Sequence, residues 1–188
     1  MDHIITKKTI RKQVLKERDQ LTQEERDRGA ILLTERICGH QWFYSSDILL
    51  AFVSYGSEID TTVIIEEAIR QGKTVYVPRI EDEEMHFYRV TDLSALQIGY
   101  RGIREPADDA ECFQYCPKQA DRVLMLMPGA VFDHSRNRLG YGKGFYDRYL
   151  AGKEALQQRT IGIGFQCQLV DELPAQEWDI RPCQIICV

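Results

Sequence analysis

No run of hydrophobic residues in this 188-residue chain approaches the roughly 18 that a membrane span requires. The opening MDHIITKKTIRKQVLKERDQ has no apolar segment of the signal-peptide kind, so a cytoplasmic protein is expected. Of the six cysteines (Cys38, Cys112, Cys116, Cys167, Cys183, Cys187), four fall into two C-x3-C spacings, with no CxxC pair and no histidine beside them. Structural zinc therefore lacks its ligand spacing, and reduced thiols are expected. An excess of positive charge is missing too: a net charge of -5 argues against a dedicated nucleic-acid coat and leaves small-molecule binding as the default. There is no internal repeat and no low-complexity linker. With 44% hydrophobic and 28% charged residues, the composition suits one globular domain over 1–188, with a helical pair at about 6–40 packed on it. A monomer is expected.

What is present changes period along the chain. Ile10, Val14, Leu15 and Leu21 recur near helical spacing after Thr6, a candidate N-cap. LTQEER then supplies a capping box, Thr22 with Glu25, before the stripe Ala30, Leu33, Ile37 and a stop at Gly39. ILLAFV (Ile48 to Val53) is a continuous apolar run of the kind buried on both faces in a parallel sheet. A helix is predicted from about Thr61 to Gln71, ended by Gly72, and then a strand TVYVP closed by Pro78. MHFYRV reads as an edge strand behind the solvated acidic turn EDEE, and residues 92 to 120 read as irregular through GYRGIREP. RVLMLM (Arg122 to Met127) is the clearest buried strand of the second half. A helix from about Phe145 to Leu156, a strand TIGIGF and a last strand in CQIICV follow. Strands alternating with helices predict a three-layer α/β/α domain with a mostly parallel sheet.

The segment RLGYGKGFYDRY (138–149) places Gly140, Gly142 and Gly144 at alternate positions among four aromatic residues. It follows RVLMLM, and ligands of open α/β sheets bind beyond the carboxyl ends of the strands. Glycines let backbone N–H groups approach an anion, and a helix starting near Phe145 adds the positive end of its dipole. Lys143 offers a phosphate a point charge, Arg138 or Arg148 a planar fork, and Asp147 a hard oxygen for magnesium. A magnesium nucleotide would thus give every charged group here a role. The dinucleotide fingerprint lacks its third glycine, and the Walker A loop lacks its GKS or GKT. A glycine-rich turn whose aromatics merely fill the core fits the same residues equally well.

With its flanks the segment becomes specific. MPGAVFDHSRNRLGYGKGFYDRYL resembles the signature of the 5-formyltetrahydrofolate cyclo-ligase (5,10-methenyltetrahydrofolate synthetase) family: P-G-x-x-F-D, a few residues, then R-L-G-x-G-x-G-Y-Y-D. The likeness runs in order along nearly the whole chain. It takes in K-x-x-x-R at Lys7 to Arg11, GSEIDT at Gly56 to Thr61, V-P-R at Val77 to Arg79, I-x-E-P at Ile103 to Pro106, and LPAQEWD ending at Asp179.

The resemblance implies an ATP- and magnesium-dependent ring closure of 5-formyltetrahydrofolate to 5,10-methenyltetrahydrofolate, through an N5-iminium phosphate, on a fold like that of sugar-phosphate isomerases and CoA transferases. It puts ATP on Lys7, Lys8, Arg11, Arg138, Leu139, Gly140, Tyr141, Gly142, Lys143, Gly144, Phe145 and Tyr146. It puts folate on Val53, Glu58, Tyr141, Gly142, Lys143, Gly144 and Phe145, and Mg2+ on Asp147 and Asp179. Lys143, Tyr146 and Arg138 take the catalytic roles. Glu58 suits the donor-rich pterin, although an acid is also favoured near the helix start at Thr61. Lys7 and Arg11 share a helical face, with Arg18 close to it; alone, this basic run reads as a solvated face.

The chain departs from the family pattern at Phe145, where a tyrosine is common, and at Trp178, where a polar residue is more usual. Its DIRPCQIICV ending also differs, and these changes bear on substrate binding rather than on the reaction. Two readings compete. A non-catalytic nucleotide or folate sensor could use the same fold, but Lys143 and both candidate metal carboxylates are in place. An RNA-binding role for the basic helix is disfavoured by the net charge and by the absence of interleaved aromatics.

Overall fold

The local signals at the N-terminus form as read. Thr6 accepts a hydrogen bond from the Thr9 N–H at 3.2 Å and caps α1 (Lys7–Asp19). Thr22 and Glu25 make a reciprocal capping box for α2 (Gln23–Cys38), which ends at Gly39. The computed structural model describes residues 6–99, 102–174, 176 and 178–188, so Tyr100 and Arg101 of GYRGIREP and Ala175 and Glu177 of LPAQEWD lie outside the described residues.

The short helix α3 (Gln41–Ser45) leads into β1 (Ile48–Leu50); α4 (Thr62–Arg70) then precedes the hairpin of β2 (Thr74–Glu81) and β3 (Glu84–Val90). After β4 (Gln97–Ile98) and β5 (Arg104–Glu105) come β6 (Val123–Pro128), β7 (Val131–Asp133) and β8 (Arg138–Leu139). The chain finishes with α5 (Phe145–Leu150), α6 (Glu154–Gln157), β9 (Thr160–Gly164), β10 (Leu169–Val170) and β11 (Gln184–Cys187). The main sheet has the order β11-β9-β6-β1-β2-β3, parallel throughout except for the antiparallel edge strand β3.

Alternation along the strands builds the three layers. Leu49, Val75, Leu124, Leu126, Ile161 and Ile163 face a core shared with Leu33 and Ile37 of α2 and Ile64, Ile65 and Ala68 of α4. Leu50, Tyr76, Met125 and Met127 face the other way, against Tyr146 and Leu150 of α5 and Leu156 of α6. Side chains two apart share a face, so the uninterrupted apolar run in β6 feeds both cores.

Four expectations need correction. The strand in ILLAFV spans only Ile48–Leu50, although Ala51 still donates to the Tyr76 carbonyl at 3.0 Å. Pro78 does not end β2. Tyr76 turns its carbonyl to β1, so Pro78, two residues on, faces the same side after β1 has ended, and its missing N–H breaks no ladder bond. The helix expected from Phe145 to Leu156 is two pieces, parted at Gly152, whose φ of 71° is left-handed. Within residues 92 to 120, β4 and β5 pair as a small antiparallel hairpin.

Candidate active site

The small sheet β10-β7-β8 folds at the carboxyl end of β6 and gives α1 its seat. Ile10, Val14 and Leu15 of α1 pack on Ala130, Val131, Leu139 and Leu173. This docking settles where the basic side chains of α1 go. Lys7 Nζ meets Asp179 Oδ2 at 2.5 Å and Gln176 Oε1 at 3.1 Å. Arg11 Nε donates to the Gly140 carbonyl at 2.8 Å, and its guanidinium lies beside Gly142. Lys8 points to solvent and bonds to none of these groups.

The β7–β8 hairpin delivers the glycine segment to the start of α5. Gly142 (φ 96°) and Gly144 (φ 65°, the N-cap of α5) adopt left-handed backbone that a Cβ would strain. Asp147 is in the first turn of α5, as expected. Both its oxygens accept from Arg138 Nη2, at 3.1 and 3.2 Å, and Oδ1 also accepts from the Ile180 N–H at 3.1 Å. That last bond ties α5 to the residue following Asp179, so the two carboxylates lie on adjoining segments. Arg138 also donates to the Pro128 carbonyl at 3.2 Å, with its guanidinium carbon 5.4 Å from the Tyr146 ring centroid. The Tyr146 hydroxyl is buried and unpartnered among the described residues; burial first, then the Glu58 charge, pushes its pKa up. Lys143 is exposed, and among the described residues its ammonium makes no ion pair.

Glu58 borders a narrow cleft with Arg18, Phe52, Pro128 and Ile163, at the carboxyl ends of the central strands, while Val53 is buried and does not line it. Gly56, at φ 61°, turns the backbone so that Glu58 Oε2 accepts from the Tyr55 N–H at 3.0 Å. The start of α4 is served instead by Asp60, which accepts from the Thr62 N–H at 2.8 Å, so Glu58 is not the acid of that helix. Burial pushes the Glu58 carboxyl up, against hydrogen bonds from Tyr141 and Tyr55 and the charge of Arg18. Arg18 Nη1 donates to the Tyr141 hydroxyl at 2.7 Å. The glycine segment therefore touches Arg11 on one side and the Glu58 cleft on the other.

A sequence profile described as the 5-formyltetrahydrofolate cyclo-ligase family matches residues 3–188. The chain belongs to the 5-formyltetrahydrofolate cyclo-ligase family. Membership makes it a ligase of folate one-carbon chemistry. The mouse (Mus musculus) 5-formyltetrahydrofolate cyclo-ligase is 28% identical over 190 residues, covering 96% of this chain and 92% of the mouse protein. The protein of that name from Escherichia coli K12 is 31% identical over 166 residues, covering 87% of this chain and 90% of its own. The NMR structure of Aquifex aeolicus 5,10-methenyltetrahydrofolate synthetase superposes with a TM-score of 0.80 at 30% identity, over 95% of this chain and 87% of that one. A Mycoplasma pneumoniae 5,10-methenyltetrahydrofolate synthetase, at 23% identity and a TM-score of 0.74 over 97% and 98% of the two chains, supports the fold alone.

In this cyclo-ligase family member, Arg18, read from the sequence only as lying close to the Lys7 and Arg11 face, is buried beside Glu58 instead. Its signal was present: positions 7, 11, 14 and 18 fall on one stripe of a 3.6-residue helix, and Val14 and Arg18 are the buried residues of α1. No group of three or more His, Cys, Asp or Glu side chains gathers among the described residues. Asp147 and Asp179 lie on segments joined by the Asp147–Ile180 bond, and each is already paired with a cation, Arg138 and Lys7 respectively. A separate groove lined by Arg36, His40, His134 and Arg136 shares none of these residues, and its two arginines donate to the Cys187 and Cys183 carbonyls of the β11 region. Among the described residues, no helix is long and apolar enough to cross a membrane.

Proposed function

We propose that this chain closes 5-formyltetrahydrofolate to 5,10-methenyltetrahydrofolate with conversion of ATP to ADP and phosphate, in the cytoplasm and as a single domain. Family membership supports the overall reaction. The observation that carries the finer reading is the convergence on one glycine loop of Arg11 from α1, the Arg138–Asp147 pair and the Glu58 cleft. The chemistry needs that convergence. A formamide oxygen is a poor leaving group, because the N5 lone pair is delocalised into the carbonyl. Transfer of the γ-phosphoryl group to that oxygen gives an N5-iminium phosphate; N10 then attacks the carbon and loses its proton to solvent, and phosphate leaves with the C–O bond. The protein must align donor and acceptor and neutralise charge.

Lys7, Arg11 and the amides around Gly140 to Gly144 take the nucleotide phosphates in this reading. Lys143, unpaired and exposed, meets the transferring group. Asp147 and Asp179 would hold magnesium, which when bound neutralises phosphate charge. Arg138 orients Asp147, and Tyr146 supports Arg138 from below. Glu58 and Val53 take the pterin, with Tyr141 and Phe145 at its border. Incubation with 5-formyltetrahydrofolate, ATP and magnesium should produce the near-ultraviolet absorbance of the methenyl product. A folded protein that generates no such absorbance refutes the proposal, and binding of both substrates without turnover would instead support a sensor.

A further inference from the structure

We infer that Arg18 is a positioning residue for the folate site, holding Tyr141 and the Ser57 turn so that Glu58 meets the pterin in one fixed orientation. The inference rests on the assignment of Glu58 to folate made above. Arg18 is only 5% exposed, an unusual depth for a guanidinium near the end of a helix. Its Nε donates to Ser57 Oγ at 2.9 Å while Nη1 donates to the Tyr141 hydroxyl at 2.7 Å. The Tyr141 oxygen accepts from Arg18, which leaves its proton free to stabilise the ionised Glu58 carboxyl. Ser57 in turn donates to Asp19, so the serine hydroxyl is also fixed in direction. One rigid fork thus sets two neighbours of Glu58 at once, the residue before it in sequence and the tyrosine across the cleft. An ammonium at the same place is a point charge and cannot reproduce both bonds in the same geometry.

The electrical surroundings of Glu58 favour the same role. Arg18 is the cation that bears on it, and Tyr141 and the buried Tyr146 are its other titratable neighbours. Asp19 is engaged by Ser57, and Asp60 by Ser54 and Thr62. Burial drives the carboxyl toward its protonated form, and a protonated carboxyl cannot accept pterin N–H groups on both oxygens. Loss of Arg18 removes the opposing charge and frees the Tyr141 hydroxyl to turn away.

The test compares Arg18→Lys, Arg18→Met and Tyr141→Phe with the unmodified protein, measuring KM for 5-formyltetrahydrofolate and for ATP across pH. Arg18→Lys should raise the folate KM about tenfold to a hundredfold, the range for losing charge-assisted hydrogen bonds, and leave the ATP KM unchanged. Arg18→Met, which removes the charge as well as the hydrogen bonds, should in addition move the acidic limb of kcat/KM for folate to higher pH. Tyr141→Phe, which removes one oxygen from a partly exposed residue, should act in the same direction more weakly, and it carries the test if Arg18→Lys does not fold. On a Glu58→Gln background, Arg18→Lys should add no further loss of folate affinity. An unshifted acidic limb in Arg18→Met, or equal rises in both KM values, overturns the role given to Arg18. A Glu58→Gln protein with an unchanged folate KM instead overturns the pterin assignment, and the inference falls with it.

Discussion

Replacing Asp147 by Asn probes both the architecture of the site and its chemistry. Asp147 receives two hydrogen bonds from Arg138, whose side chain is only 4% exposed, while its own is 28% exposed. Asparagine keeps an acceptor for the Ile180 N–H but leaves the guanidinium without a counter-charge. The Pro128 carbonyl and the Tyr146 ring compensate only in part. Removing one partner of a fully buried ion pair costs about 3–5 kcal/mol. Solvent access at Asp147 reduces that to about 2–3 kcal/mol, which for a chain of this size lowers Tm by about 4–12 °C. If Asp147 also meets the magnesium of the nucleotide, turnover falls about a hundredfold or more. The two effects separate in the double variant Arg138→Met, Asp147→Asn, which removes the stranded charge. Thermal denaturation should then recover most of the lost Tm while the absorbance assay stays silent. An unchanged Tm in Asp147→Asn would refute the buried-pair argument, and a double variant with restored activity would leave Asp147 a structural residue only.

Lys143→Ala should change stability by less than about 0.5 kcal/mol, because the side chain is exposed and unpaired, yet lower kcat/KM about a hundredfold; parallel Tm and rate measurements check this. Gly144→Ala should cost about 1–2 kcal/mol in chemical denaturation, since φ is 65° there and Arg148 Nη1 lies 3.2 Å from the added Cβ. Glu58→Gln should stabilise the protein near neutral pH. Burial raises the folded carboxyl above its ordinary value, so its contribution to stability is full below the unfolded pKa and is lost as pH rises through the folded one. The Tm gain should therefore vanish by about pH 4, and a gain that persists there would contradict the sign.

Much of the fold was legible because its signals are local. Thr6, the Thr22–Glu25 box, Gly39 and the apolar run of β6 each act within a few residues, and each appears where the pattern put it. Pro78 and Gly152 misled for opposite reasons. Proline ends a strand only where its absent N–H would have met a partner, and the end of β1 removes that partner. Glycine at 152 stands inside an otherwise helical pattern, but its left-handed conformation follows from the turn that brings Leu156 back under the sheet. The β7–β8 hairpin went unread because Val131–Asp133 and Arg138–Leu139 are too short for a period, and their turn uses Arg136 at φ 67° rather than glycine.

The candidate site was legible as a set of residues but not as a set of pairings. Spacing alone could place Lys7 and Arg11 on one helical face. It could not show that Lys7 would meet Asp179 from the far end of the chain, or that Arg138 would be held by Asp147. Those pairings depend on Ile10, Val14 and Leu15 finding Ala130, Val131 and Leu139, a contact between segments more than a hundred residues apart. The same docking divides the basic stripe of α1. Its first two charges reach Asp179 and the Gly140 side of the glycine loop, and Arg18, two turns further on, is carried into the Glu58 cleft. A charge run that reads alone as a solvated face thus becomes, once its apolar neighbours are seated, the element that joins the two halves of the site.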